Sequence, residues 1–124
     1  MNVVDSSGWL EYFAGGRNAS RFAAPLKDVD RLVVPAVSIY EVFTVLYREA
    51  GAEAALQAAS AMQRGHVVDL TAQRSMSAAT LSLQHSLPMA DSIILAATRE
   101  HEATLWTQDE DFKGMDKVKY FPKK

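Results

Sequence analysis

A chain of 124 residues that is 48% hydrophobic has the length for one buried core and too little for two. With no cysteine it excludes a disulfide framework and a thiolate zinc site, and no apolar run reaches the length of a membrane span. The formal charge of −2, from 15 acids against 13 bases, argues against a nucleic-acid partner only if every acid is free in solution, so charge alone does not choose the partner.

The chain opens on Asn2-Val3-Val4, a β-branched run preceded by no basic and apolar leader, so a cytoplasmic protein is the default expectation. Trp9, Leu10 and Phe13 at helical spacing before Gly15-Gly16 predict a short helix over 6–14, and 20–27 predicts another. Leu32-Val33-Val34 reads as the second strand. Helices are expected over 36–50, ending at Gly51, and over 53–64, ending at Gly65. His66-Val67-Val68 is the third strand, followed by helices over 71–85 and, after Pro88, over 89–101. Residues 103–107 form the fourth strand, and 117–121, alternating and stopped by Pro122, a fifth at an edge. Strands alternating with helices specify an α/β fold: a single domain over 1–124 with a central parallel sheet of four to five strands flanked by helices.

In such a sheet ligands bind beyond the carboxyl ends of the strands. Asp5 directly follows the first strand and Asp109 comes two residues after the fourth. Glu41 lies in the first two turns of the helix leaving the second strand, and Asp91 in the first turn of the helix entering the fourth, which a right-handed crossover also starts at the carboxyl edge. Each acid has an ordinary reading: Asp5 as a helix N-cap, Glu41 on a polar stripe with Ser38, Thr44 and Arg48, Asp91 favoured by a helix dipole, and Asp109 as a cap for a short helix through Phe112. Together they place four carboxylates at one edge, where they repel one another unless a cation neutralises them. Oxygen-only ligation suits Mg²⁺ or Mn²⁺, and such an ion supports hydrolysis of phosphodiesters. With these four carboxylates set aside, the surface is left slightly basic. Counting 100° per residue from Asp109 turns Asp111 about 200° around the axis, so Asp111 is expected to face elsewhere or cap the turn.

Other chemistries lack their residues. His66, His85 and His101 have no metal-ligand spacing, Gly15-Gly16 is followed by no Lys and Ser/Thr, and Ser6 or Ser7 as a nucleophile has no base placed by sequence. Both serines read as caps that also touch phosphate or orient Asp5. Lys113, Lys117, Lys119, Lys123 and Lys124 make the C-terminal segment the most basic, either a solvated tail or a clamp on a nucleic-acid backbone. The cluster of Trp9, Leu10, Tyr12, Phe13 and Phe22 reads as core or, where exposed, as a groove for a partner helix.

The segments Val4-Asp5-Ser6-Ser7, Val37-Ser38-Ile39-Tyr40-Glu41-Val42, Pro88-Met89-Ala90-Asp91-Ser92 continuing to Ala97, and Leu105-Trp106-Thr107-Gln108-Asp109-Glu110-Asp111-Phe112 resemble PIN-domain nucleases over essentially the whole chain. In size and order the chain is similar to the toxin component of VapBC-type toxin-antitoxin pairs. The resemblance implies a PIN-like sheet between helices, divalent-metal-dependent endoribonuclease activity with Mg²⁺ or Mn²⁺, homodimerisation, and inhibition by a small antitoxin protein at the acidic site. It carries over Asp5, Glu41, Asp91 and Asp109 as catalytic metal ligands, with Ser6, Thr107 and Asp111 in support. It identifies neither the RNA nor the cut site. A phosphoacceptor receiver domain is the rival reading, but Asp5 has no acidic neighbour until Glu11. A haloacid-dehalogenase-like phosphatase would need a second Asp where Ser7 stands. A catalytically silent binding domain of the same fold is the third alternative.

Overall fold

The computed structural model describes residues 1–123, and Lys124 of the basic C-terminal segment lies outside them. Five strands, β1 (Asn2–Val4), β2 (Val33–Pro35), β3 (His66–Val68), β4 (Thr104–Thr107) and β5 (Val118–Tyr120), carry the fold. Six helices connect them: α1 (Ser6–Ala14), α2 (Ala19–Lys27), α3 (Ala36–Ala50), α4 (Ala52–Met62), α5 (Ala72–His85) and α6 (Met89–Glu100). Every expected element is present, with ends displaced by no more than two residues, as fraying and capping allow.

All strand pairs are parallel. β4 lies between β1 and β5, with Val3 opposite Leu105 and Leu105 opposite Val118, while β2 and β3 pair separately. One parallel bridge, Asn2 with Leu32, joins the two sheets into a five-strand layer.

Alternation along the short strands divides the core in two. Val3, Val33 and Leu105 face one side, against Ile94 and Leu95 of α6, Leu87 and Phe112. Val4 and Val34 face the other, against Trp9, Phe22, Leu26, Val42 and Met62 from α1 to α4. Trp9 and Phe22 are therefore core residues, with Leu10, Tyr12 and Phe13 partly buried against them. Because all five strands run the same way, Val4, Pro35, Val68, Thr107 and Tyr120 end on one edge of the layer, and the segments that follow them meet there.

Candidate active site

Asp5 leaves β1 with its N–H bonded to the Trp106 carbonyl at 3.1 Å, which continues the β1–β4 pairing past the strand end. Its carboxylate is buried, 2% exposed, and accepts three hydrogen bonds. Oδ1 accepts from the Gly8 N–H at 3.0 Å and from the Ser7 hydroxyl at 2.7 Å, and Oδ2 accepts from the Thr107 hydroxyl at 2.8 Å. Asp5 is thus the N-cap of α1 and a member of the acidic edge at once, so its two sequence readings coincide. Ser6 and Ser7 are not caps, because both already lie in the helix. Position 8 admits only glycine: a Cβ there would stand 2.6 Å from Val4 Cγ1 and 2.8 Å from the Phe22 ring, so the missing side chain lets α1 approach β1 closely enough to seat its cap. Burial pushes the Asp5 carboxyl up to about 6, against the pull of its three hydrogen bonds.

A second group forms where α6 meets the loop after β4. One carboxylate oxygen from each of Asp91, Asp109 and Asp111 lies within 4.8 Å of the others. Asp91 sits in the first turn of α6, behind Pro88. Its carboxyl is held at about 7, first by partial burial and then by the charge of Asp109, a hydrogen bond with Asp111, and the charges of Asp111 and Asp5. Asp109 caps a 3₁₀ turn, Glu110–Phe112, by accepting the Asp111 N–H at 2.9 Å. Thr107 ties the two groups together, its Oγ1 donating to Asp5 while accepting the Asp109 N–H at 2.9 Å. Phe112, wholly buried, anchors the turn in the core, and its loss would cost about 3–5 kcal/mol.

Glu41, on α3, is reached through Ser6, whose hydroxyl donates to Glu41 Oε1 at 2.6 Å. Among the described residues the tight three-acid group does not include Glu41 or Asp5. It includes Asp111, which corrects the expectation that this side chain turns away. Asp109 is an extended cap residue and the turn is 3₁₀, so the α-helical count of 100° per residue does not apply between them, and Asp109 takes the capping role instead.

Sequence reasoning names Ser6 and Thr107 in support and gives Ser6 or Ser7 a general role beside Asp5, but it assigns none of them a bond and misses Asn18. Buried Asn18 donates from Nδ2 to Gln108 Oε1 and to the Pro122 carbonyl, both at 3.0 Å, across 90 and 104 residues. No local pattern announces that pairing. His66 and His101 meet edge to face with ring centres 6.0 Å apart, the His101 ring against the Ala97 carbonyl, and neither belongs to the acidic group.

A parallel α/β layer whose carboxyl edge gathers oxygen donors from β1, α6 and the turn after β4 defines a domain suited to a hard divalent cation and the phosphates it attracts. The sequence matches the PIN domain family over residues 3–118, and the chain belongs to that family. No curated protein matches it by sequence. Among solved structures it is similar to a toxin-antitoxin complex from Klebsiella pneumoniae, at 19% identity and a TM-score of 0.79 over 95% of either chain. VapC20 of Mycobacterium tuberculosis, described as a sarcin-ricin-loop-cleaving toxin, gives 23% identity and a TM-score of 0.79 over 95% of this chain and 98% of its own. VapBC2 of Rickettsia felis, bound to a promoter DNA fragment, gives 13% identity and a TM-score of 0.70 over 98% and 97%. At these identities the likeness establishes the fold.

Proposed function

We propose that the chain is a divalent-metal-dependent endoribonuclease, acting in the cytoplasm as the toxin of a type II toxin-antitoxin pair. The observation that carries this reading is the group of Asp91, Asp109 and Asp111, one carboxylate oxygen of each within 4.8 Å of the others, where burial and the facing acids push the Asp91 carboxyl up to about 7. Protonation of Asp91 relieves that repulsion in part, and a divalent cation would relieve it with all three carboxylates ionised. The donor set fits Mg²⁺ or Mn²⁺: every group is a carboxylate, and among the described residues no histidine joins the cluster. Asp5, Glu41, Asp91 and Asp109 would hold the ion, with Asp111 beside them. The ion, when bound, supplies an activated water and charge stabilisation at the leaving oxygen.

The chain's own residues do the positioning. Ser7, Gly8 and Thr107 fix both oxygens of Asp5, so the carboxylate is oriented before any ligand arrives. Thr107 couples that orientation to the Asp109 backbone. Ser6 restrains the long Glu41 side chain at the rim.

The toxin reading draws on the solved neighbours, several of which are described as toxins or toxin-antitoxin complexes. It gives the chain an RNA substrate and a small antitoxin protein as partner. A homodimer accounts for an apolar cavity of about 420 Å³ between α5 and α6, with Leu83 86% exposed and Met89 75% exposed at its border.

The decisive assay incubates the purified chain with total and synthetic RNA in Mg²⁺, in Mn²⁺ and in excess EDTA, then maps the cut ends. Discrete cuts that vanish in EDTA are expected. Metal-independent cutting, or none with any RNA, sinks the nuclease reading. Growth arrest on expression of the chain alone, relieved by a co-expressed partner, tests the toxin role separately.

A further inference from the structure

A groove of about 400 Å³ runs beside the acids. Gln108, Asp109, Glu110 and Asp111 form one wall, and Tyr120, Pro122 and Lys123 the other. We propose that this groove holds the single-stranded RNA segment next to the scissile phosphate, with Tyr120 as a stacking platform for a base and Lys123 paired to a backbone phosphate. The inference rests on the reading of the acids as a phosphodiester site and adds to it the path of the strand.

Three observations carry it. The groove is continuous with the acidic group, since Asp109 and Asp111 belong to both. A strand with one phosphate at those acids therefore has its neighbouring nucleotide in the groove. Next, its far wall offers the pairing that single strands favour, an aromatic ring beside cations. Lys113 Nζ stands 5.6 Å from the centre of the Tyr120 ring, so a second cation lies beside that ring. Finally, the groove is built before any ligand binds. Asn18 fastens Gln108 of one wall to Pro122 of the other, which removes much of the ordering cost of binding. A ring that stacks on any base and a lysine that meets any phosphate read no sequence, so this groove positions the strand and leaves the choice of target to other surfaces.

The test measures binding without cleavage. Fluorescence anisotropy of a labelled, unstructured 12-nucleotide RNA, about one dozen bases by design, is recorded in EDTA at several salt concentrations. Lys123→Glu, an exposed change beyond the last strand, is expected to weaken binding about fivefold and to lower the salt slope by about one. Tyr120→Leu, checked for an unchanged melting temperature, is expected to weaken it about tenfold. Lys27→Glu, an equal charge change at the end of α2, is expected to stay within about twofold of the unaltered chain. Binding indifferent to both groove substitutions, an equal loss at Lys27, or no binding by the unaltered chain would overturn the proposal. Cleavage by the unaltered chain together with indifferent groove variants would leave the nuclease reading standing without the groove. A groove that binds RNA on a chain that never cuts would do the reverse.

Discussion

Replacing Asp91 with Asn should destroy cleavage and make the metal-free protein more stable. The carboxyl of Asp91 titrates at about 7 in the folded chain against an ordinary 3.8. The folded state therefore holds this proton more tightly than the unfolded state does. The stability that this one protonated group contributes falls as pH rises from about 4 and is gone above about 7. A gap of roughly three pH units would amount to about 4 kcal/mol for a group wholly removed from water. Asp91 is only half-buried, and solvent screening cuts this to about 1–2 kcal/mol. Asn matches the shape, carries no charge, and can donate its amide to Asp111. In a chain of this size the gain corresponds to a melting temperature higher by about 4–8 °C at pH 8 in EDTA. The assay is thermal melting of both proteins from pH 4 to pH 8, with and without Mg²⁺. The gap should shrink toward pH 4, and Mg²⁺ should raise the melting point of the unaltered chain but not of the variant. A variant that melts no higher than its parent at pH 8, or a gap that ignores pH, would refute the electrostatic reasoning.

Thr107→Val keeps the shape and deletes both hydroxyl bonds, so it should lower stability by about 1–2 kcal/mol and activity about tenfold, read by melting and by initial rates. Asp109→Asn should cost about a hundredfold in cleavage, roughly 3 kcal/mol of transition-state stabilisation, although the amide oxygen still caps the turn. Asp111→Asn should cost about tenfold or more because its carboxylate faces Asp91; a variant as active as its parent would show that Asp111 takes no part. Leu83→Glu should convert a dimer to monomers in light scattering, and a species of unchanged mass would remove the α5–α6 face from the interface.

Much of this arrangement is written locally. The strands are short runs rich in β-branched residues, and α1 and α3 end at Gly15 and Gly51, so periodicity and punctuation locate the elements within two residues. The rule that parallel sheets collect ligands at their carboxyl edge then brings Asp5, Asp91 and Asp109 toward one another before any coordinate is known. What sequence could not supply is geometry finer than one turn. Asp111 was misplaced because a cap followed by a 3₁₀ turn does not rotate like an α-helix. The Ser6 to Glu41 bond and the Asn18 fastening span 35 to 104 residues, and nothing in the local composition distinguishes these side chains from ordinary surface polar groups. The division of five strands into three and two depends on a single bridge that strand propensity does not register.

The pairing of β1 with β4 has a consequence for synthesis. β1 meets β4, its partner over Asn2 to Val4, only after Thr104 to Trp106 have been made. Until then Asp5 lacks Thr107, and the loop carrying Asp109 and Asp111 does not exist. Contacts this distant in sequence form late in folding. A nascent chain can carry Asp5, Glu41 and even Asp91 without the closed group, because Thr107, Asp109 and Asp111 follow them in sequence. Topology itself holds the acidic group open until β4 and the turn after it are in place.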